Sequence, residues 1–248
     1  MTTIAHDRPI DLAVSIEAGD TAIEADWTIP LRPRGTILVV NGAGNSRSCR
    51  RNRETAKDLH DEGFATLIVD LLTHEEEQED ALTGSLRLDV DLLARRITTA
   101  TRWVRNEPDF AYLPIGYLAS GVASAGALVA ASRNSADVAA VVSRSGRVDL
   151  AGINLHKVEA PTLLIVGGAD PQTFELNRWA LRRLNCEKRI TTIPRATHQF
   201  AEAGTLTGAT RMAIDWFERF MERPRQLTTR RSMFAINFSE RRTDWISR

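Results

Sequence analysis

Six apolar runs constrain this chain more than any other feature. They read TILVVNG (36–42), FATLIVDLL (64–72), AYLPIGYL (111–118), DVAAVVS (137–143), PTLLIVGG (161–168) and RITTIP (189–194). Near-continuous runs of this length suit strands buried on both faces of a parallel sheet. Helical patterns lie between and after them, at 50–62, 88–106, 122–133, 174–184 and 208–222. In 88–106, Val90, Leu93, Ile97, Trp103 and Val104 fall near one stripe. Residues 122–133 are nearly all small or apolar, which predicts a central, buried helix. Strands alternating with helices predict an α/β fold with a doubly wound, mostly parallel sheet. Ahead of it, DLAVSIEA (11–18) and TAIEADWTI (21–29) alternate around Gly19-Asp20 and predict an N-terminal antiparallel hairpin.

At 248 residues and 43% hydrophobic content, the chain has enough apolar material for one large domain, expected over 1–223. An Arg-rich stretch, 224–248, follows it and is expected to be a tail or an added element. Formal net charge is zero, which gives no overall pull toward nucleic acid or an anionic membrane. The expected partner is a small molecule. The two cysteines, Cys49 and Cys186, lie too far apart in sequence to form a metal cluster by themselves. Neither metal nor cofactor is expected, and reduced thiols fit a cytoplasmic protein. No run of about 18 apolar residues occurs, and the N-terminus lacks a signal-peptide core.

Open parallel sheets place their sites at the carboxyl ends of strands. The first run is followed by NGAGNSRSCRRNR, and the third leads into GYLASGVASAG (116–126). Asp170 comes just after the fifth run and His198 just after the sixth. A turn, then an acid, then a histidine is the order of an α/β-hydrolase triad. The histidine serves as general base, and the acid holds its tautomer and stabilises the imidazolium. Backbone N–H groups of Ala43 and Val122 occupy the two oxyanion-hole places. Arg47, Arg51 and Arg144, with Arg50 and Arg53 nearby, are candidates to hold an anionic substrate.

Each piece also has a plainer reading. GAGNS is compatible with a tight turn or a dinucleotide-binding turn, although Arg47 stands where the latter needs Gly or Ala. Asp70, ending the next strand, is what keeps the dinucleotide alternative open. Asp170 before Pro171 suits a turn, and His198 suits a surface loop. The arginine cluster suits a solvated helix start. HEEEQED (74–80) reads as a solvated loop at the rim.

The chain resembles the dienelactone-hydrolase-related α/β-hydrolases, in the branch often fused to phosphoribosyltransferase domains. The resemblance runs from about 35 to 222. It is carried by GAGNSRSCRRNR, ATLIVDLLTHEEE, IGYLASGVASAGALVAAS, VVSRSGRVDLAG, APTLLIVGGAD and ATHQFAEAGTL. It implies an α/β-hydrolase fold, an acid at Asp170 and a base at His198, here expected in a stand-alone hydrolase-like unit. It also implies an elbow with a nucleophile between small residues. Aligned without gaps, that nucleophile position is Gly121, flanked by Ala119 and Ala123. Asn41-Gly42 stands where the resemblance implies His-Gly, and Ala43 replaces a common serine.

Gly121 has no reactive atom. Ser120 is a weak substitute nucleophile with a simpler role as helix N-cap. Ser124 sits a turn into the buried helix, where a hydroxyl usually bonds the backbone behind it. Cys49 reads as a loop packing residue. A water activated by His198 and Asp170 needs no covalent step. The expected function is therefore hydrolysis of an ester, thioester or lactone. The alternative is a catalytically silent relative that binds a small molecule or a protein through the old pocket.

Overall fold

The computed structural model describes residues 9–41 and 46–221. An eight-stranded mixed sheet forms its centre. Its strands are β1 (Ile10–Glu17), β2 (Ala22–Ile29), β3 (Thr36–Asn41), β4 (Ala65–Val69), β5 (Ile115–Gly121), β6 (Val138–Gly146), β7 (Thr162–Gly167) and β8 (Lys188–Ile193). The spatial order is β1-β2-β4-β3-β5-β6-β7-β8. β1 and β2 pair antiparallel, as the alternation predicts, and β2 joins β4 antiparallel. All remaining pairs are parallel. Every residue of β4 and β7 is buried, which is why those runs are apolar without alternation.

Six α-helices cover the sheet: α1 (Arg50–Asp61), α2 (His74–Thr83), α3 (Val90–Asn106), α4 (Ala123–Arg133), α5 (Pro171–Leu181) and α6 (Thr205–Phe220). α3 and α4 close one face, with Leu93, Ile97 and Val104 packed among Leu38, Tyr117 and Val141. α1 and α6 close the other, where Leu59, Ala213 and Phe217 meet Ile37, Val39, Leu118 and Val142. Trp27 of the hairpin is fully buried against Trp103 and Phe110, with ring centroids 4.9 and 4.5 Å apart. This aromatic cluster ties the N-terminal hairpin to α3.

Four segments differ from the sequence expectation. Residues 74–80 are helical, not a loop. Thr73 and Glu76 form a reciprocal capping box, and Glu75, Glu76 and Glu77 complement the positive end of the helix dipole. β5 starts at Ile115 because residues 107–113 turn back on themselves, Phe110 and Ala111 both donating to the Glu107 carbonyl. α5 begins at Pro171: the Asp170 carboxylate accepts from Thr173 N–H at 3.1 Å, and proline suits the first helical turn. A 3-10 segment, Val148–Lys157, follows β6 where no element was expected. The 224–248 stretch lies outside the described residues. Among the described residues, no helix is long and apolar enough to cross a membrane.

Candidate active site

The elbow is built where β5 ends. Gly121 pairs laterally with Gly146 of β6 and has φ 58°, in the left-handed region that favours glycine. Among the described residues, a Cβ placed there would meet only Asn41 Oδ1, at 3.9 Å, an ordinary contact. Behind it the packing is closed. A Cβ on Gly146 would collide with the hydroxyls of Ser124 and Ser143. Val122 follows in αR conformation, and its carbonyl accepts from Ala125 and Gly126 as α4 begins.

Ser120 is the penultimate residue of β5, so it is not a helix cap. Its hydroxyl donates to Asn41 Oδ1 at 3.3 Å. Ser124 is fully buried in α4, and its hydroxyl has no partner among the described residues instead of bonding the helix backbone. Ala43 lies outside the described residues. The loop after it is anchored: Ser46 Oγ accepts from Asn41 N–H, and Asn52 donates to the Ser46 carbonyl.

Asp170 and His198 stand on neighbouring loops. Ala169 N–H donates to the Ala196 carbonyl at 2.9 Å, and Gly168 N–H to that of Ile193 at 2.8 Å. These bonds stitch the end of β7 to the end of β8. Yet no hydrogen bond or ion pair joins the two side chains among the described residues. Asp170 caps α5, and His198 is exposed. The Glu202 carboxylate interacts electrostatically with His198. Its own backbone N–H and that of Thr197 hold Glu202 below the usual carboxylate range, with a smaller push from His198. Glu202 lies four residues past His198; only the loop's fold makes the two neighbours.

The candidate substrate arginines part company. Arg47 donates from Nε to Asp70 at 2.8 Å and from Nη1 to Asp26 at 3.3 Å, while its backbone N–H also reaches Asp70. Arg51 is half-buried on the first turn of α1. Arg144 is 7% exposed and, among the described residues, donates only to Thr55 Oγ1 at 2.9 Å and Asn52 Oδ1 at 3.3 Å. Asn41, Ser120 and Arg144 form one lateral row across β3, β5 and β6. Two residues earlier in each strand stand Val39, Leu118 and Val142, which pack on the α1/α6 face, so the row lies on that face at the rim. Asn52 and Thr55 were not singled out in the sequence; only their contact with Arg144 marks them.

An open pocket of about 540 Å³ runs along α5, lined by Asp149, Gln172, Glu175, Leu176, Trp179 and Arg182. Its Asp149 is paired with Arg147, whose N–H donates to the Gly121 carbonyl. Among the described residues, no group of three or more His, Cys, Asp or Glu could hold a metal ion.

The model of the dienelactone hydrolase family matches residues 23–222. This chain belongs to the dienelactone hydrolase family. A dienelactone hydrolase from Anabaena variabilis shares 43% identity, with TM-score 0.84 over 88% of this chain and all of that one. A dienelactone hydrolase-like promiscuous phosphotriesterase from metagenomic libraries shares the fold at 17% identity and TM-score 0.72, covering 86% of this chain and 98% of that one. A Mycobacterium tuberculosis protein described as "Putative phosphoribosyl transferase" is 44% identical over 214 residues. That match takes in 86% of this chain, which spans about half (47%) of the relative's length. The eight-stranded mixed sheet, with its antiparallel hairpin, is the dienelactone hydrolase form of the α/β-hydrolase fold.

Proposed function

We propose that this chain is a member of the dienelactone hydrolase family that binds a small molecule at the carboxyl edge of its sheet and forms no acyl-enzyme at its elbow. Gly121 carries the reading. Gly121 has a left-handed backbone and, among the described residues, room for a side chain, but it carries none. A non-glycine residue there costs on the order of 1–3 kcal/mol. Glycine relaxes that strain and removes the reactive atom together. Ser120 is a poor replacement, because its hydroxyl is turned to Asn41 and no bond joins it to His198 among the described residues.

The second reading is hydrolysis of an ester, thioester or lactone by water, with His198 as base and Asp170 or Glu202 as its acid. The backbone bonds that hold the loops of Asp170 and His198 side by side support it. In this reading Val122 N–H and Ala43 N–H hold the oxyanion, and Arg47, Arg51 and Arg144 are the candidate substrate contacts.

A fluorophosphonate probe and short aryl esters test both, on wild type beside Gly121→Ser. The first reading expects no labelling and no turnover by wild type, with labelling restored in the variant at the substituted elbow position. Labelling of Ser120 in wild type sinks it. Turnover without labelling, abolished by His198→Ala, establishes the water route instead.

A further inference from the structure

The group at this rim with the least satisfied chemistry is Arg144. A guanidinium has five N–H donors and stays charged at neutral pH. Arg144 is more than nine-tenths buried, yet its two partners, Thr55 and Asn52, are neutral. No carboxylate pairs with it among the described residues. Burial lowers its pKa, and Arg51 adds to the effect, to about 10; the Cys49 thiol acts in the opposite direction. A cation withdrawn from water without a counter-charge is strongly unfavourable, and natural sites rarely retain one.

Its surroundings add to the positive field instead of cancelling it. Arg51 has no acid partner among the described residues. α1 starts beside it with Cys49 at the cap position, no side-chain cap bond and no acidic residue in the first turn. Free N–H groups at such an end favour anions. The site lies in the same lateral row as Ser120 and one residue from the elbow apex. By contrast, Arg47 and Arg96 each have a carboxylate partner.

We infer that Arg144, Arg51 and the start of α1 form a subsite for the oxyanion, carboxylate or phosphate, of a small-molecule ligand bound at the elbow. This deepens the proposed function by giving its ligand a charge and an orientation: the anionic group lies toward α1, and the rest extends past Gly121. The guanidinium donates to the oxyanion as a planar fork. Thr55 and Asn52 hold that fork in place and are positioning residues.

Cys49 supplies a readout that needs no catalysis. The full chain is alkylated with neutral iodoacetamide, and the rate at the Cys49 peptide is followed by mass spectrometry, with the Cys186 peptide as internal control. Phenyl phosphate and phenylacetate are the anionic probes, and phenylacetamide is the neutral one. At least one anion is expected to slow Cys49 alkylation saturably, by fivefold or more, with Cys186 unchanged; which anion does so separates a phosphate from a carboxylate ligand. Arg144→Met should abolish this protection while keeping the wild-type circular dichroism melt. Arg144→Lys, which keeps the charge but not the fork, should retain part of it. Equal protection by phenylacetamide, full protection in Arg144→Met, or no protection by either anion overturns the inference. Fluorophosphonate labelling of wild type would overturn the non-covalent reading of the elbow while leaving the Cys49 result intact, so the two failures are distinguishable.

Discussion

Arg47 and Arg144 are the same residue type, flanking the same helix start, and they do opposite things. Arg47 is part-exposed and bonded to two carboxylates, Asp26 from β2 and Asp70 just after β4. It fastens the loop after β3 to the hairpin side of the sheet. Arg144 is deeper and has no carboxylate among its partners. The difference teaches where to look for ligand chemistry in this fold. An arginine whose counter-charges come from neighbouring strands is already satisfied; a buried one held only by neutral groups is not.

Breaking the Arg47 corner should cost most. Asp70→Ala removes the acceptor of both Arg47 Nε and Arg47 N–H. A loss of about 2–4 kcal/mol is expected in urea melts, below the range for a fully buried pair because Arg47 is partly exposed. A loss under about 1 kcal/mol would remove the contrast with Arg144. The elbow holds a parallel contrast between paired glycines. Gly146→Ala meets two serine hydroxyls and should cost up to about 3 kcal/mol by overpacking. Gly121→Ala meets nothing closer than 3.9 Å among the described residues and should cost the backbone strain, about 1–2 kcal/mol.

Arg96 offers a third arginine for calibration. It is buried, donates to the Leu71 carbonyl and pairs with Glu76. Its bonds to Glu76 hold that carboxyl below its ordinary value of 4.5, against an opposing push from burial. A depressed carboxylate contributes stability that is fully present above the unfolded value and is lost as pH falls through the lower folded one. Glu76→Gln should therefore destabilise by about 1.5 kcal/mol at pH 7, with the gap to wild type closing below about pH 4 in thermal melts. The smallest effect belongs to Arg144→Met. With no ion pair to break among the described residues and a buried charge removed, its stability should match wild type or exceed it by up to about 1 kcal/mol, while anion protection of Cys49 disappears.

The sheet was legible because its central strands are buried on both faces, which forces continuous apolar runs such as TLLIVG in β7. A turn at Gly121 was legible too: small residues bracket it at the end of β5, and its backbone there is left-handed. α2 was missed because a helix of HEEEQEDALT has no apolar stripe to read, although the Thr73–Glu76 box was in plain sight. Ser120 was read as a cap when β5 in fact runs on to Gly121. The charge interaction between Glu202 and His198 was not read in the sequence, because two residues four apart in a loop carry no pattern that pairs them.

By itself the sequence determined the order of the strands and of the helices other than α2, and that Gly121, Asp170 and His198 fall at or just past strand ends. These depend on local periodicity and on residues a few places apart. Only the tertiary structure decided which charges are neutralised. Asp26 and Asp70 reach Arg47 across 21 and 23 residues of chain, and Thr55 and Asn52 reach Arg144 across 89 and 92. Ion pairing depends on distance in space and on withdrawal from water, neither of which a linear pattern encodes. Two arginines that look alike in sequence thus become an anchor and a candidate anion site once the sheet closes around them.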